Sequence, residues 1–67
     1  MSVAKVIEIS AESDTSFEDA IKKGIQRAGT TVKDIRGAWV KEQEVTVDNG
    51  AVQLYRVKMK VTFALKS

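Results

Sequence analysis

Near the middle of the chain the sequence "VDNGAV" sets two residues, Asn49 and Gly50, between two long segments of alternating character, "GAWVKEQEVTV" and "VQLYRVKMKVTFAL". A two-residue turn of type I′ needs positive φ at both central positions, and Asn-Gly supplies it at little steric cost. The second half of the chain is therefore a long β-hairpin. With Asp48 facing Ala51, an uninterrupted ladder assigns every side chain to a face.

On one face this register sets Ala38, Val40, Glu42, Glu44 and Thr46 beside Gln53, Tyr55, Val57, Met59, Val61 and Phe63. On the other it pairs Gly37 with Thr62, Trp39 with Lys60, Lys41 with Lys58, Gln43 with Arg56, Val45 with Leu54 and Val47 with Val52. The first set is expected to meet the helix, which leaves Glu42 and Glu44 as carboxylates on a core-facing side, where they need water or a cation. The second set is the outer face, and Trp39 belongs to it.

Upstream, "VAKVIEI" (Val3 to Ile9) reads as a first strand and "SAESDTS" as a polar loop. "TSFEDAIKKGIQRAG" reads as an amphipathic helix from about Ser16 to Ala28, with an extension through Val32 left open. Thr15 and Glu18 fit a capping box, and Phe17, Ala20, Ile21, Ile25 and Ala28 form its apolar stripe. Gly24 falls on that stripe and predicts a close approach to the sheet. The fold class is α+β, a β-α-β-β subunit with a three-stranded antiparallel sheet and one helix on one face, spanning residues 1–67 as a single domain.

A helix of about 13 residues is about 20 Å long, whereas hairpin strands of about 12 residues extend about 40 Å. One helix cannot cover that hairpin. The chain has 67 residues and neither Cys nor His, so disulfides and His or Cys metal sites are not available as staples, and self-association remains. Val45, Val47, Val52 and Leu54 form an apolar patch near the turn and are the expected oligomer contact.

Catalysis is not expected. Nucleophilic triads and zinc sites lack their residues, and the four glycines are too scattered to make a phosphate-cradling loop. A net charge of +2 is too small to imply nucleic-acid binding, although the basic outer face keeps a single-stranded nucleic acid as a third reading. The first ten residues carry Lys5 and Glu8, which argues against a signal peptide or membrane span and for a cytoplasmic protein.

The outer face combines an indole, Trp39, with Lys41, Arg56, Lys58 and Lys60, a set suited to a planar, negatively charged ligand by stacking and ion pairing. Packing of Trp39 within a subunit interface is the alternative. Lys41 opposite Lys58 is a like-charge pair that calls for a nearby acid or anion. Glu42 and Glu44 are the candidate metal ligands, acting between subunits.

Taken together, "KVIEI", "FEDAIKKGIQRAGTTV", "WVKEQ" and "YRVKMKVTFAL" resemble the dodecin family across nearly the full length. The resemblance implies small β-α-β-β subunits assembled as a hollow homododecamer that stores flavin, FMN or riboflavin, between subunits without turnover. It also exposes two departures. Gly37 stands where flavin-binding members have their stacking tryptophan, with Trp39 two positions later on the same face, and Arg56 stands where they have a ring-holding glutamine. The implied ligand residues are therefore Trp39, Arg56 and Gln43, with Gly37, Lys41 and Lys58 around them. A dodecin-fold particle that binds metal ions or another nucleotide in place of flavin is the second reading.

Overall fold

The computed structural model describes residues 3–65, in the order β1 (Val3–Ser13), α1 (Phe17–Ala28), β2 (Ile35–Asp48) and β3 (Ala51–Leu65). The strands form one antiparallel sheet in the order β1-β3-β2, so the last strand lies in the middle. This is the expected β-α-β-β arrangement. Asn49 and Gly50 adopt φ of 52° and 78°, and Asp48 pairs with Ala51, as the turn chemistry requires.

The central strand accounts for the core. Val57, Met59 and Val61 of β3 and Ala20 of α1 are fully buried, and Ile9, Ala11, Phe17, Ile21, Ile25 and Val40 pack on this cluster. Gly24 sits where helix and sheet come closest. A methyl group added there would lie 2.9 Å from both the Ala11 Cβ and the Met59 Cε, so the close approach read from the sequence is real.

Two boundaries differ from expectation. β1 continues through Ser13, because the stretch read as a polar loop pairs Ser10, Ala11, Glu12 and Ser13 with Lys58, Val57, Arg56 and Tyr55. The helix cap is Ser16 rather than Thr15. The Asp19 amide donates to the Ser16 hydroxyl at 2.9 Å, while the Thr15 hydroxyl donates to Asp14. Buried Ser13 ties the two elements together, its hydroxyl donating to Asp19 Oδ2 at 2.6 Å and accepting from the Thr15 amide.

The hairpin register also departs from an uninterrupted ladder. Besides a shift at the start of β2, between Ile35 and Gly37, where Arg36 is the extra residue, it shifts between Thr46 and Val47, where Gln53 is the extra residue of β3, and shifts back between Val40 and Glu42, where Lys41 is the extra residue of β2. The Thr46 hydroxyl accepts from the Leu54 amide at 3.1 Å and so occupies a donor that the bulge frees from the ladder. Outside the bulges, the expected pairs Gly37 with Thr62, Trp39 with Lys60 and Val47 with Val52 hold. From Glu42 to the turn every residue of β2 is turned over, so Val47 and its partner Val52 lie on the helix side and not on the expected outer face.

That reversal corrects several placements. Glu42 now faces Lys58 and Glu44 faces Arg56, so both carboxylates lie on the outer face and not against the helix. Gln43 faces Val57, and the pairs Gln43 with Arg56 and Lys41 with Lys58 do not form. The patch near the turn is divided, since Val45 pairs with Tyr55 on the helix side and Leu54 pairs with Thr46 on the other.

The hairpin overhangs the helix. Phe17 at the start of α1 meets Tyr55 edge-on, ring centroids 5.1 Å apart, and beyond that contact Val45, Val47 and Val52 are 40%, 61% and 50% exposed. The radius of gyration is 13.8 Å, against about 11 Å for a compact chain of this length.

Candidate functional site

The outer face of the sheet is a grid of polar side chains, because alternate residues of three paired strands point the same way. Its first row is Glu12, Arg56 and Glu44; its second Ser10, Lys58 and Glu42; its third Glu8, Lys60 and Trp39. The cations occupy the middle strand. Acids stand on both edge strands, an arrangement that favours cross-strand attraction.

In the first row the Arg56 guanidinium binds Glu12 and also reaches Glu44 Oε1 at 3.2 Å. Glu12 first, then Glu44, raises the arginine's pKa above its already high ordinary value. Arg56 is therefore committed to two carboxylates of its own chain. Lys41, carried onto this face by its bulge, donates to Glu8 Oε2 at 3.4 Å. The acid that the crowded lysines call for is thus Glu8 of β1, while Glu42 of β2 stands opposite Lys58 without bridging it.

Trp39 is 50% exposed, with Lys60 Nζ over its ring 5.9 Å from the centroid. Beside it Gly37 leaves the surface open. A Cβ at that position would meet nothing nearer than the Thr62 hydroxyl at 3.6 Å, and that hydroxyl donates to the Gly37 carbonyl. Trp39, Gly37, Lys60 and Lys58 make a shallow cationic and aromatic surface, Arg56 and Glu44 bound its hairpin side, and Gln43 faces away from it.

The family is now decided by comparison. A family model described as Dodecin matches residues 3–66. The chain belongs to the dodecin family. Among curated dodecins, the calcium dodecin of Mycobacterium tuberculosis is 46% identical over 66 residues, covering 98% of this chain and 93% of that protein. The crystal structure of that calcium-chelating dodecin superposes with a TM-score of 0.82 at 45% identity, over 96% of this chain and 91% of its own. A variant of the Thermus thermophilus dodecin gives 0.94 at 30% identity with both chains fully covered. The Streptomyces davaonensis dodecin gives 0.94 at 29% identity over 98% and 97% of the two chains. Both the fold and the family implied by the sequence are shown.

A calcium ion takes six to eight oxygen ligands. Among the described residues no three acidic side chains of one chain come close enough to hold a metal ion, and Glu8, Glu12 and Glu44 are each engaged by a cation of the same sheet. Glu42 makes no ion pair among the described residues. No helix among them is long and apolar enough to cross a membrane.

Reading the sequence missed Glu8, Ser10 and Glu12 as members of this face. The signal was present in "VIEISAES", where the three recur at period two, but it required carrying the strand past Ile9.

Proposed function

We propose that the chain, as one dodecin domain, assembles with copies of itself in the cytoplasm and holds a flat aromatic ligand, anionic FMN or its neutral parent riboflavin, against Trp39, acting by storage and not by turnover. The observation that carries this reading is the half-exposed indole on an open sheet face, with Lys60 over its ring and bare surface at Gly37. Apolar faces of this kind are worth about 1–3 kcal/mol per stacked aromatic partner. Lys58 and Lys60 supply the charge. Arg56, held by Glu12 and Glu44, serves as a boundary post; Gln43 and Lys41 support the strand that presents the indole. Adding purified protein to FMN tests it: strong quenching of flavin fluorescence that Trp39→Ala abolishes is expected, and no quenching overturns the reading.

A second reading is favoured by the 46% identical relative named for calcium. Glu42, unbridged on the outer face, then joins carboxylates of neighbouring copies around a divalent cation, with Glu44 alongside. Calorimetric titration with calcium distinguishes the two, since this reading requires saturable heat that Glu42→Gln removes and flavin binding does not.

A further inference from the structure

The residues that close the hairpin also set a carboxamide beside a backbone nitrogen, Asn49 ahead of Gly50. The carboxamide carbon of an asparagine and the nitrogen that follows it are the two ends of a five-membered ring not yet closed, and the next side chain is what usually hinders closure. Here the next residue is glycine. A Cβ added at Gly50 would meet nothing within 4 Å, so its backbone lies open to water and base. In a two-residue loop the hydrogen bonds that close the hairpin run between the flanking residues, here Asp48 and Ala51, and the Gly50 N–H is left outside the ladder. Asn49 is exposed, and its carboxamide makes no hydrogen bond among the described residues.

Turn geometry alone opposes the reaction. Asn49 and Gly50 hold φ of 52° and 78°, and the ring closes only after rotation about the Asn49 Cα–C bond swings the Gly50 nitrogen toward the carboxamide. The register supplies that freedom. The bulge at Gln53 interrupts the ladder, and beyond it only the pairs Val47 with Val52 and Asp48 with Ala51 secure the tip. Val47 and Val52 are 61% and 50% exposed, so little packing resists their parting. Segments with few buried contacts open at a free energy far below that of global unfolding, and the tip opens while the pairs from Thr46 inward stay in place.

We propose that Asn49 is a site of spontaneous covalent modification, deamidating and isomerising through a succinimide closed by the Gly50 nitrogen. Hydroxide takes the Gly50 amide proton, and the nitrogen attacks the Asn49 carboxamide carbon. The new N–C bond forms, the bond to the side-chain nitrogen breaks, and that nitrogen leaves as ammonia. Water then opens the ring at either carbonyl. Opening at the side-chain carbonyl gives aspartate; opening at the main-chain carbonyl gives isoaspartate, whose backbone is one methylene longer. Both products add a negative charge beside Asp48. The longer backbone does not fit a two-residue turn, so the isoaspartyl form frays back to the bulge. Neither flavin nor metal takes part.

Ageing the purified full-length protein at mildly alkaline pH, with trypsin cleavage and mass spectrometry at intervals, tests it. Trypsin cuts after Lys41 and Arg56 and so releases residues 42–56, which hold Asn49 together with Gln43 and Gln53 as slower-reacting internal controls. The peptide is expected to gain one mass unit at Asn49 and to separate into two species, the larger of them a substrate for an isoaspartyl methyltransferase. The rate should rise with hydroxide concentration, and Asn49→Gln should abolish the gain. A mass that stays unchanged while a synthetic copy of residues 42–56 converts under the same conditions overturns the proposal, because the folded turn then withholds the nitrogen. A gain located at Gln43 or Gln53 overturns it as well. So does aspartate as the sole product, since direct hydrolysis of the amide, without the Gly50 nitrogen, gives no isoaspartate.

Discussion

Arg56 on the central strand grips Glu12 on one edge strand and touches Glu44 on the other at 3.2 Å, so a single guanidinium spans the full width of the sheet. Removing it leaves two carboxylates facing each other across an empty row. Arg56→Gln is therefore expected to lower the thermal midpoint most at low ionic strength. The gap from wild type should narrow in about 1 M salt, where charges farther apart than about 3 Å are screened. A salt-independent difference would show that packing of the arginine stem matters more than its charge.

Gly24 makes a steric prediction. Alanine favours helix by about 1 kcal/mol over glycine, yet its methyl group would lie 2.9 Å from the Ala11 Cβ, a group with no freedom to move aside, and equally near the Met59 Cε. Overpacking of this kind costs about 1–3 kcal/mol, so Gly24→Ala is expected to be destabilising. Urea unfolding measures it. Ala11→Gly in the same chain relieves one clash and should recover part of the loss.

Most of the fold was legible because local signals agreed with one another. Asn49-Gly50 set the turn, the spacing of Phe17, Ile21 and Ile25 set the helix, and the alternation of Val57, Met59 and Val61 set the core face. The candidate site was legible only where the ladder is regular. Trp39 opposite Lys60 follows from counting back from the turn, because two bulges cancel before that point; Glu42, Gln43 and Glu44 lie between them and come out reversed. The misfit of two acids on a core-facing side was itself a sequence signal that the register shifts there. Neither bulge carries a glycine or proline, so nothing local marked Lys41 or Gln53. The reach of β1 to Ser13 was hidden for another reason: polar residues in "SAES" are extended by pairing with β3, a tertiary effect that outweighs their turn preference.

The Thr46 hydroxyl, which takes the Leu54 amide at 3.1 Å, predicts how the reversal is held. Thr46→Val keeps the shape and the β-branching but removes the acceptor. The freed amide costs about 1 kcal/mol if water reaches it and more if it does not. Hydrogen exchange at Leu54 is expected to accelerate in this variant while exchange at Met59 stays unchanged. Equal acceleration at both sites would mean that the bulge is held by the ladder and not by the hydroxyl.

Asp19 joins the end of β1 to the start of α1, and its titration predicts the pH range in which that joint holds. The Ser13 hydroxyl first, then Lys23 at 3.0 Å, lowers its pKa below the ordinary 3.8. A depressed carboxylate contributes stability that is fully present above its unfolded pKa and is lost as pH falls through the lower folded one. Lys23, raised above 10.5 chiefly by the same carboxylate, behaves in the mirror sense: its contribution is full below 10.5 and is lost as pH rises through the raised value. The stability advantage of wild type over Asp19→Asn is therefore expected to be flat from about pH 5 to 9. It should shrink below pH 3.8 and again above 10.5. Thermal midpoints of the two proteins measured across that range decide it, and an advantage that persists at pH 2 would assign the effect to the amide's geometry at the helix start and not to charge.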